Sequence, residues 1–274
     1  MRYAFFGTPR FAAIILENLI EAGNPPALLV CNPDKPTGRK NIITPPLTKV
    51  LAERHGVAIW QPEKLEIGGW KLEIQKLGGI NFAFVAAYSK IIPRDILDSA
   101  KFFGIHPSLL PKYRGASPIQ SVILAGENIS GVTIYQMDER VDHGPIALQK
   151  EISIEGRDTY LTLEEKLADL GTETFLELNK KIETDSVLFK EQDHENATMT
   201  QKFKTEDGFI NLEKNDPEEM VRKIRALNPE PGVWTMMSGK RVKILDAEIQ
   251  NNALKLKTIQ VEGEKPKNIL GGNL

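Results

Sequence analysis

The stretch GIHPSLLPKYRGASP (104–118) sets His106, one of only four histidines, directly before a proline. An imidazole titrates near neutral pH and exchanges a proton at either ring nitrogen, which suits general acid–base work when the ring is held in place. Pro107 restricts His106 to extended backbone, and Pro111 does the same for Leu110. A histidine in this setting is either a packed structural group or a preorganised base. The second candidate is Asp142 in DERVDHGPI (138–146), ahead of His143 and Gly144. It reads either as a turn residue between two strands or as a carboxylate that holds the His106 imidazole in one tautomer, the pair then forming a general base. There is no G-x-S-x-G, so a covalent nucleophile has no support. Gly7-Thr8-Pro9 lacks the G-x-G-x-x-G that lets backbone approach a pyrophosphate, which argues against a nicotinamide or flavin cofactor.

Two groups of basic residues stand apart from this pair. Lys35, Arg39 and Lys40 punctuate PDKPTGRKNIITPP (33–46), either as solvated loop surface or as a grip on the phosphates of a large substrate. Arg222, Lys223, Arg225, Lys240, Arg241 and Lys243 make the same offer from the tail. The formal net charge is -2, so no global basic field advertises a nucleic acid. The sign is uneven, however: residues 201–274 carry 13 Lys and Arg against 11 Asp and Glu, and residues 1–200 carry 22 against 26. Cys31 is the only cysteine, which excludes an intrachain disulfide and leaves no basis for a cysteine metal site; no residue is assigned to a metal. No leader precedes the first apolar run, and no stretch reaches the ~18 apolar residues of a membrane span. A soluble cytoplasmic protein without membrane contact is expected. It is expected to be a monomer, since nothing reads as a coiled coil or an exposed apolar helix.

These residues need elements to position them. Residues 2–6, PALLVCN (26–32), VAIWQP (57–62) and INFAFVAAY (80–88) are short apolar runs that alternate with helical patterns at 11–19, 47–56 and 65–77. Strands apolar on both faces imply an α/β fold, a mostly parallel sheet flanked by helices. Ligands of such sheets sit beyond the carboxyl ends of the strands, so Gly7, Asn32, Tyr88 and the His106 loop should gather on one edge. GVTIYQMD (131–138) and IALQKEISI (146–154) read as a late pair of strands, and 159–182 as a long amphipathic helix. The domain expected is 1–185, followed by a polar linker at 186–202. Residues 203–274 read as a small β-rich domain, a partial barrel.

The stretches together are familiar. FFGTPRFA (5–12), PDKPTGR (33–39), AYSKIIP (87–93), HPSLLPKYRGASPIQ (106–120), GVTIYQMDERVDHGPI (131–146) and KIRALNPEPGVWT (223–235) resemble the methionyl-tRNA formyltransferase family over nearly the whole chain. The resemblance implies a Rossmann-like formyltransferase domain and a C-terminal OB-like tRNA-binding domain, here shorter than usual. It implies formyl transfer from 10-formyltetrahydrofolate, a co-substrate, to the methionine amine of initiator methionyl-tRNA, with no metal. His106 and Asp142 match the family's catalytic pair. Ser108, Leu109, Leu110 and Pro111, with Ala87 and Tyr88, match its folate-binding positions. Arg39 and Lys40 match the loop that enters the acceptor stem, and Arg222, Arg225, Lys240, Arg241 and Lys243 would track tRNA phosphates. One position departs. Where the family carries a catalytic asparagine that donates to the formyl oxygen, this chain has Gly104, and loss of one such donor costs on the order of 10²–10³ in rate. An amino-sugar nucleotide N-formyltransferase shares the His106 segment and is the enzymatic alternative. A folate- or tRNA-binding homologue impaired by Gly104 is the alternative from another class.

Overall fold

Tyr3–Gly7 is a strand buried along its full length (β1), because helices cover both faces of the sheet around it. Tyr3 packs on Phe84 and Phe175, with ring centroids 5.6 and 5.0 Å away. Phe6 points the other way, to Trp70 and Phe102 at 5.5 and 5.6 Å. The period-two alternation of a strand thus places Phe175 of one helix and Trp70 of another on opposite sides of one sheet. The Trp70 indole is fully buried and its N–H donates to Ser99 Oγ at 2.7 Å, so the ring carries no unpaired polar group into the core.

The computed structural model describes residues 2–38 and 41–269. The chain continues from β1 through α1 (Arg10–Glu21), β2 (Leu28–Val30), β3 (Lys35–Thr37), β4 (Ile42–Thr44), α2 (Leu47–Arg54), β5 (Ala58–Trp60) and α3 (Ile67–Lys76). Next come β6 (Phe82–Ala86), α4 (Arg94–Leu97), β7 (Lys101–His106), β8 (Arg114–Gly115), α5 (Pro118–Ala125), β9 (Ile129–Gln136) and β10 (Ile146–Ser153). After α6 (Tyr160–Glu183) follow β11 (Met199–Thr200), α7 (Pro217–Leu227), β12 (Trp234–Met237), β13 (Lys240–Gln250), β14 (Ala253–Val261) and β15 (Lys267–Asn268). The main sheet has the order β10-β9-β7-β6-β1-β2-β5. The pairs β7–β6, β6–β1, β1–β2 and β2–β5 are parallel, and β9 runs antiparallel to β7. The fold is therefore the mostly parallel α/β sheet that the apolar runs predict.

Two compact units divide the chain. The first holds Met1–Arg114, Gly131–Ile152 and Glu164–Thr198. Residues 186–198, which read as linker, belong to it: Lys190 pairs with Ile146, and Gln192 is buried with its amide spent on backbone carbonyls. The second unit holds Gly115–Ser130, Ser153–Leu163 and Met199–Leu274. Its sheet has the order β12-β13-β14-β15, antiparallel throughout. Ser238-Gly239 and Asn251-Asn252 join its first three strands with positive φ at both residues, the two-residue hairpin loop that matches strand twist. Its helix α7 starts at Asp216, whose carboxylate accepts from the Glu219 N–H at 3.0 Å, with Pro217 as the first helical residue. No helix among the described residues is long and apolar enough to cross a membrane.

Cys31, just beyond β2, is fully buried, and that burial pushes its thiol up to about 11. Thiolate is the reactive form. Ellman's reagent near pH 8, about the ordinary thiol pKa, should therefore leave the native chain unmodified and titrate one thiol per chain in denaturant. Rapid reaction of the native chain would show that the strand end opens.

Candidate active site

His106 is the last residue of β7 and lies at the carboxyl edge of the parallel strands. The residue is buried, 6% exposed, and its Nε2 lies 2.9 Å from the carbonyl oxygen of Tyr113. A carbonyl only accepts, so Nε2 carries a proton in this contact. Tyr113 aims that carbonyl from φ 61, in the left-handed region where a non-glycine residue is strained. Its own N–H is taken by Thr198 Oγ1 at 2.7 Å. The loop after the His-Pro segment thus holds one nitrogen of the ring, a contact that the sequence did not announce.

Asp142 Oδ2 lies 3.4 Å from His106 Nδ1. Asp142 is also in the left-handed region, at φ 49. Gln192 Nε2 fixes this turn by donating to the Asp142 carbonyl at 3.0 Å and the Gly144 carbonyl at 2.7 Å. Gly144 admits no side chain, because a Cβ there would overlap the Gln136 carbonyl oxygen. The other carboxylate oxygen, Oδ1, accepts from the Tyr135 hydroxyl at 2.7 Å. Burial first, and Asp142 second, holds the Tyr135 hydroxyl well above the usual phenol range, so it stays a donor.

Around this centre the polar groups are paired. Arg114 is buried and donates to Gln192 Oε1 at 2.6 Å and His194 Nδ1 at 2.9 Å. The His194 ring stacks on His143, centroids 4.1 Å apart, and His143 Nδ1 lies 2.7 Å from Asp138 Oδ2. Arg114, Tyr135, Gln192 and His194 were not singled out in the sequence. Arg114 and the histidines were there to be counted, but nothing in the polar run 186–202 marks Gln192 as buried.

Residues 1–178 match the formyl transferase family and residues 202–264 the formyl transferase C-terminal domain. A methionyl-tRNA formyltransferase of Thermotoga sp. (strain RQ2) is 44% identical over 246 residues, 89% of this chain and 78% of that one. The chain belongs to the methionyl-tRNA formyltransferase family. Methionyl-tRNA formyltransferase from Clostridium thermocellum superposes with a TM-score of 0.64 at 17% identity, over 95% of this chain and 98% of that one. HypX from Aquifex aeolicus, solved in complex with tetrahydrofolic acid, gives 0.67 at 18% identity, over 95% of this chain and 42% of that one. At such identities these two structures speak for the fold alone.

The residues expected to bind folate fall at the same strand edge. Ser108 is fully buried and its hydroxyl donates to the Lys112 carbonyl at 2.7 Å, so this side chain braces the loop. Thr133 donates to the Ser108 carbonyl at 2.7 Å and accepts from the Leu110 N–H at 3.1 Å. Leu110 is buried, while Leu109 and Pro111 are half-buried. Ala87 follows β6 at φ 50 and is exposed; Tyr88 is half-buried, its ring 5.5 Å from Phe6. Burial pushes the Tyr88 hydroxyl up to about 12. Two buried atoms of this edge, Tyr88 Oη and Asn32 Oδ1, have no hydrogen-bond partner among the described residues.

The residues expected to bind tRNA fare differently. Arg39 and Lys40 lie outside the described residues. In the second unit, Lys243 stands opposite Trp234 and Arg241 opposite Met236, so these four share one face of the sheet. The Arg241 guanidinium sits 4.1 Å above the Trp234 ring, and Lys240 and Lys243 are exposed. Arg225 is spent locally: its Nη1 donates to the carbonyls of Gly156 and Asp158 at 2.7 and 3.2 Å. Arg222 is half-buried, with its Cδ 3.4 Å from where a Cβ on Gly126 would stand.

Proposed function

We propose that the chain transfers the formyl group of 10-formyltetrahydrofolate to the methionine α-amine of initiator methionyl-tRNA, with His106 and Asp142 as its catalytic pair. The observation that carries this reading is the pair itself: a buried imidazole whose Nδ1 faces a carboxylate, in a chain 44% identical to a methionyl-tRNA formyltransferase.

The residues at the strand edge fit a folate. The unpartnered Tyr88 Oη and Asn32 Oδ1 offer a donor and an acceptor to a polar ring, and the half-buried Leu109 and Pro111 offer apolar surface. Ala87 lies beside them in sequence, and Ser108 and Leu110 act by bracing the loop. The bound co-substrate supplies an activated formyl carbonyl. Everything else is done by the chain. The attacking amine bonds to the formyl carbon and loses a proton to His106 Nδ1, and that proton passes to the departing tetrahydrofolate nitrogen as the original formyl C–N bond breaks. The imidazolium so formed gains the Nδ1–H that Asp142 Oδ2 accepts, so the carboxylate stabilises the charge it faces. Nε2–H stays on the Tyr113 carbonyl, which keeps the ring from turning. Much of the remaining acceleration comes from holding the two reactants together.

The first unit carries this chemistry, and the tRNA contacts fall to Arg241 and Lys243 on the face they share with Trp234, together with Lys240, Arg222, Arg39 and Lys40. Arg225 contributes less, since two backbone carbonyls already hold it. We read the protein as a cytoplasmic monomer. Single-turnover reaction with charged initiator tRNA and 10-formyltetrahydrofolate is expected to yield formylmethionyl-tRNA. Transfer to a free amino-sugar nucleotide but not to the tRNA would replace this reading with the sugar enzyme. Binding of folate or tRNA without transfer to either would make the chain an impaired homologue.

A further inference from the structure

Gly104 and Tyr135 are directly paired across β7 and β9, so both face the same side of the sheet as His106, two residues on. The missing side chain at 104 is what gives the tyrosine its place. A Cβ built on Gly104 would overlap the Tyr135 ring and stand 2.6 Å from its hydroxyl oxygen. The ring therefore lies across the strand over Gly104 and carries its hydroxyl to Asp142 Oδ1, 2.7 Å away.

We infer that Tyr135 is the positioning residue of the His106–Asp142 pair, a third member that fixes the carboxylate so that Oδ2 faces His106 Nδ1. This rests on the formyl-transfer reading for its rate prediction and on geometry alone for its structure. The backbone of Asp142 is held by Gln192 and by the contact at Gly144. Those contacts act on the backbone, whereas the torsion that turns an aspartate carboxylate is broad and nearly two-fold. The buried tyrosine hydroxyl is a fixed donor on one of its oxygens, and a carboxylate pinned at Oδ1 presents Oδ2 in one direction. Its single proton is committed to Asp142 in this arrangement, so Tyr135 acts through the carboxylate and does not itself reach the formyl oxygen. Other charged groups close to the hydroxyl are Asp138 and Arg114, the latter already engaged by Gln192 and His194. Gly104 and Tyr135 are thus one device, in which the strand gives up a side chain so that its neighbour can reach the acid.

The test is Tyr135→Phe, which keeps the ring over Gly104 and removes only the hydroxyl. Hydrogen bonds to charged groups are worth enough to predict a fall in kcat of about ten- to hundredfold. KM for both substrates and the melting temperature are expected to stay close to those of the unaltered chain. A kcat that does not move, or that falls together with KM and thermal stability, overturns the positioning role. The ¹⁵N spectrum of the His106 ring tests it without turnover: the Nδ1 resonance should shift in Tyr135→Phe while Nε2 stays protonated. An unshifted Nδ1 overturns the inference whatever reaction the protein runs. A shifted Nδ1 in a chain inactive on charged tRNA supports it and moves the failure to the functional reading.

Discussion

Asp142→Asn is expected to abolish most of the formyl transfer while leaving the fold as stable as before. The substituted amide keeps the size of the carboxylate, and its oxygen still accepts from Tyr135 at the Oδ1 position. Its nitrogen then stands where Oδ2 was, 3.4 Å from His106 Nδ1, and nitrogen donates. The amide N–H occupies the very lone pair that must take the proton, and no anion remains to stabilise an imidazolium. General-base contributions of this kind amount to about 10²–10⁴ in rate, roughly 3–5 kcal/mol of barrier at 1.36 kcal/mol per tenfold. His106→Ala should lose as much for a different reason. It removes the acceptor outright, and it also strips the Tyr113 carbonyl of its donor, so a drop in melting temperature is expected in that variant alone. Single-turnover rates measured beside thermal melts separate the two. Either variant within tenfold of the unaltered rate removes its residue from the chemistry.

The sheet was legible because its strands are too apolar to be half exposed: Tyr3, Phe5 and Phe6 must all be covered, and only helices on both faces cover them. His106 and Asp142 were legible as residue types in motifs. What escaped was the geometry that makes them work. The proton on Nε2 depends on a carbonyl at Tyr113, and that depends on a backbone turn at φ 61 that no side-chain pattern announces. Tyr135 sits in β9, ISGVTIYQ, where six consecutive residues from Ser130 to Tyr135 are buried, with no alternation to say which face each takes. Only the register against β7 shows that Tyr135 opposes Gly104. Gln192 was hidden by its neighbours. A polar run reads as solvated linker, and nothing in composition shows that one amide is consumed by two backbone carbonyls. Gly104, which in the sequence looked like the loss of a donor, is in the fold the seat of another side chain.

That seat decides what placing at 104 the asparagine expected from the resemblance would do. From sequence alone, Gly104→Asn returns a missing donor and should raise the rate. In the structure the new Cβ drives into the Tyr135 ring, inside a strand that is buried on both sides of the position. Overpacking of this kind costs about 1–3 kcal/mol, and the ring has to move, taking its hydroxyl off Asp142. Gly104→Asn alone is therefore expected to melt several degrees lower and to transfer formyl more slowly than the unaltered chain. Tyr135→Val alone should also be slower, since it leaves a void over Gly104 and Asp142 without its donor. Combined, the two changes nearly conserve volume and keep a β-branched residue in a strand. The double variant should then be more stable than the sum of the singles allows, by the coupling expected of side chains in contact. It should also outpace Gly104→Asn, because the amide now has room to face the site. Additive losses in melting temperature would mean that Tyr135 and residue 104 do not share their space. A gain in rate from Gly104→Asn alone, with no loss of stability, would mean that the tyrosine yields freely and that its place over Gly104 is incidental to the acid it holds.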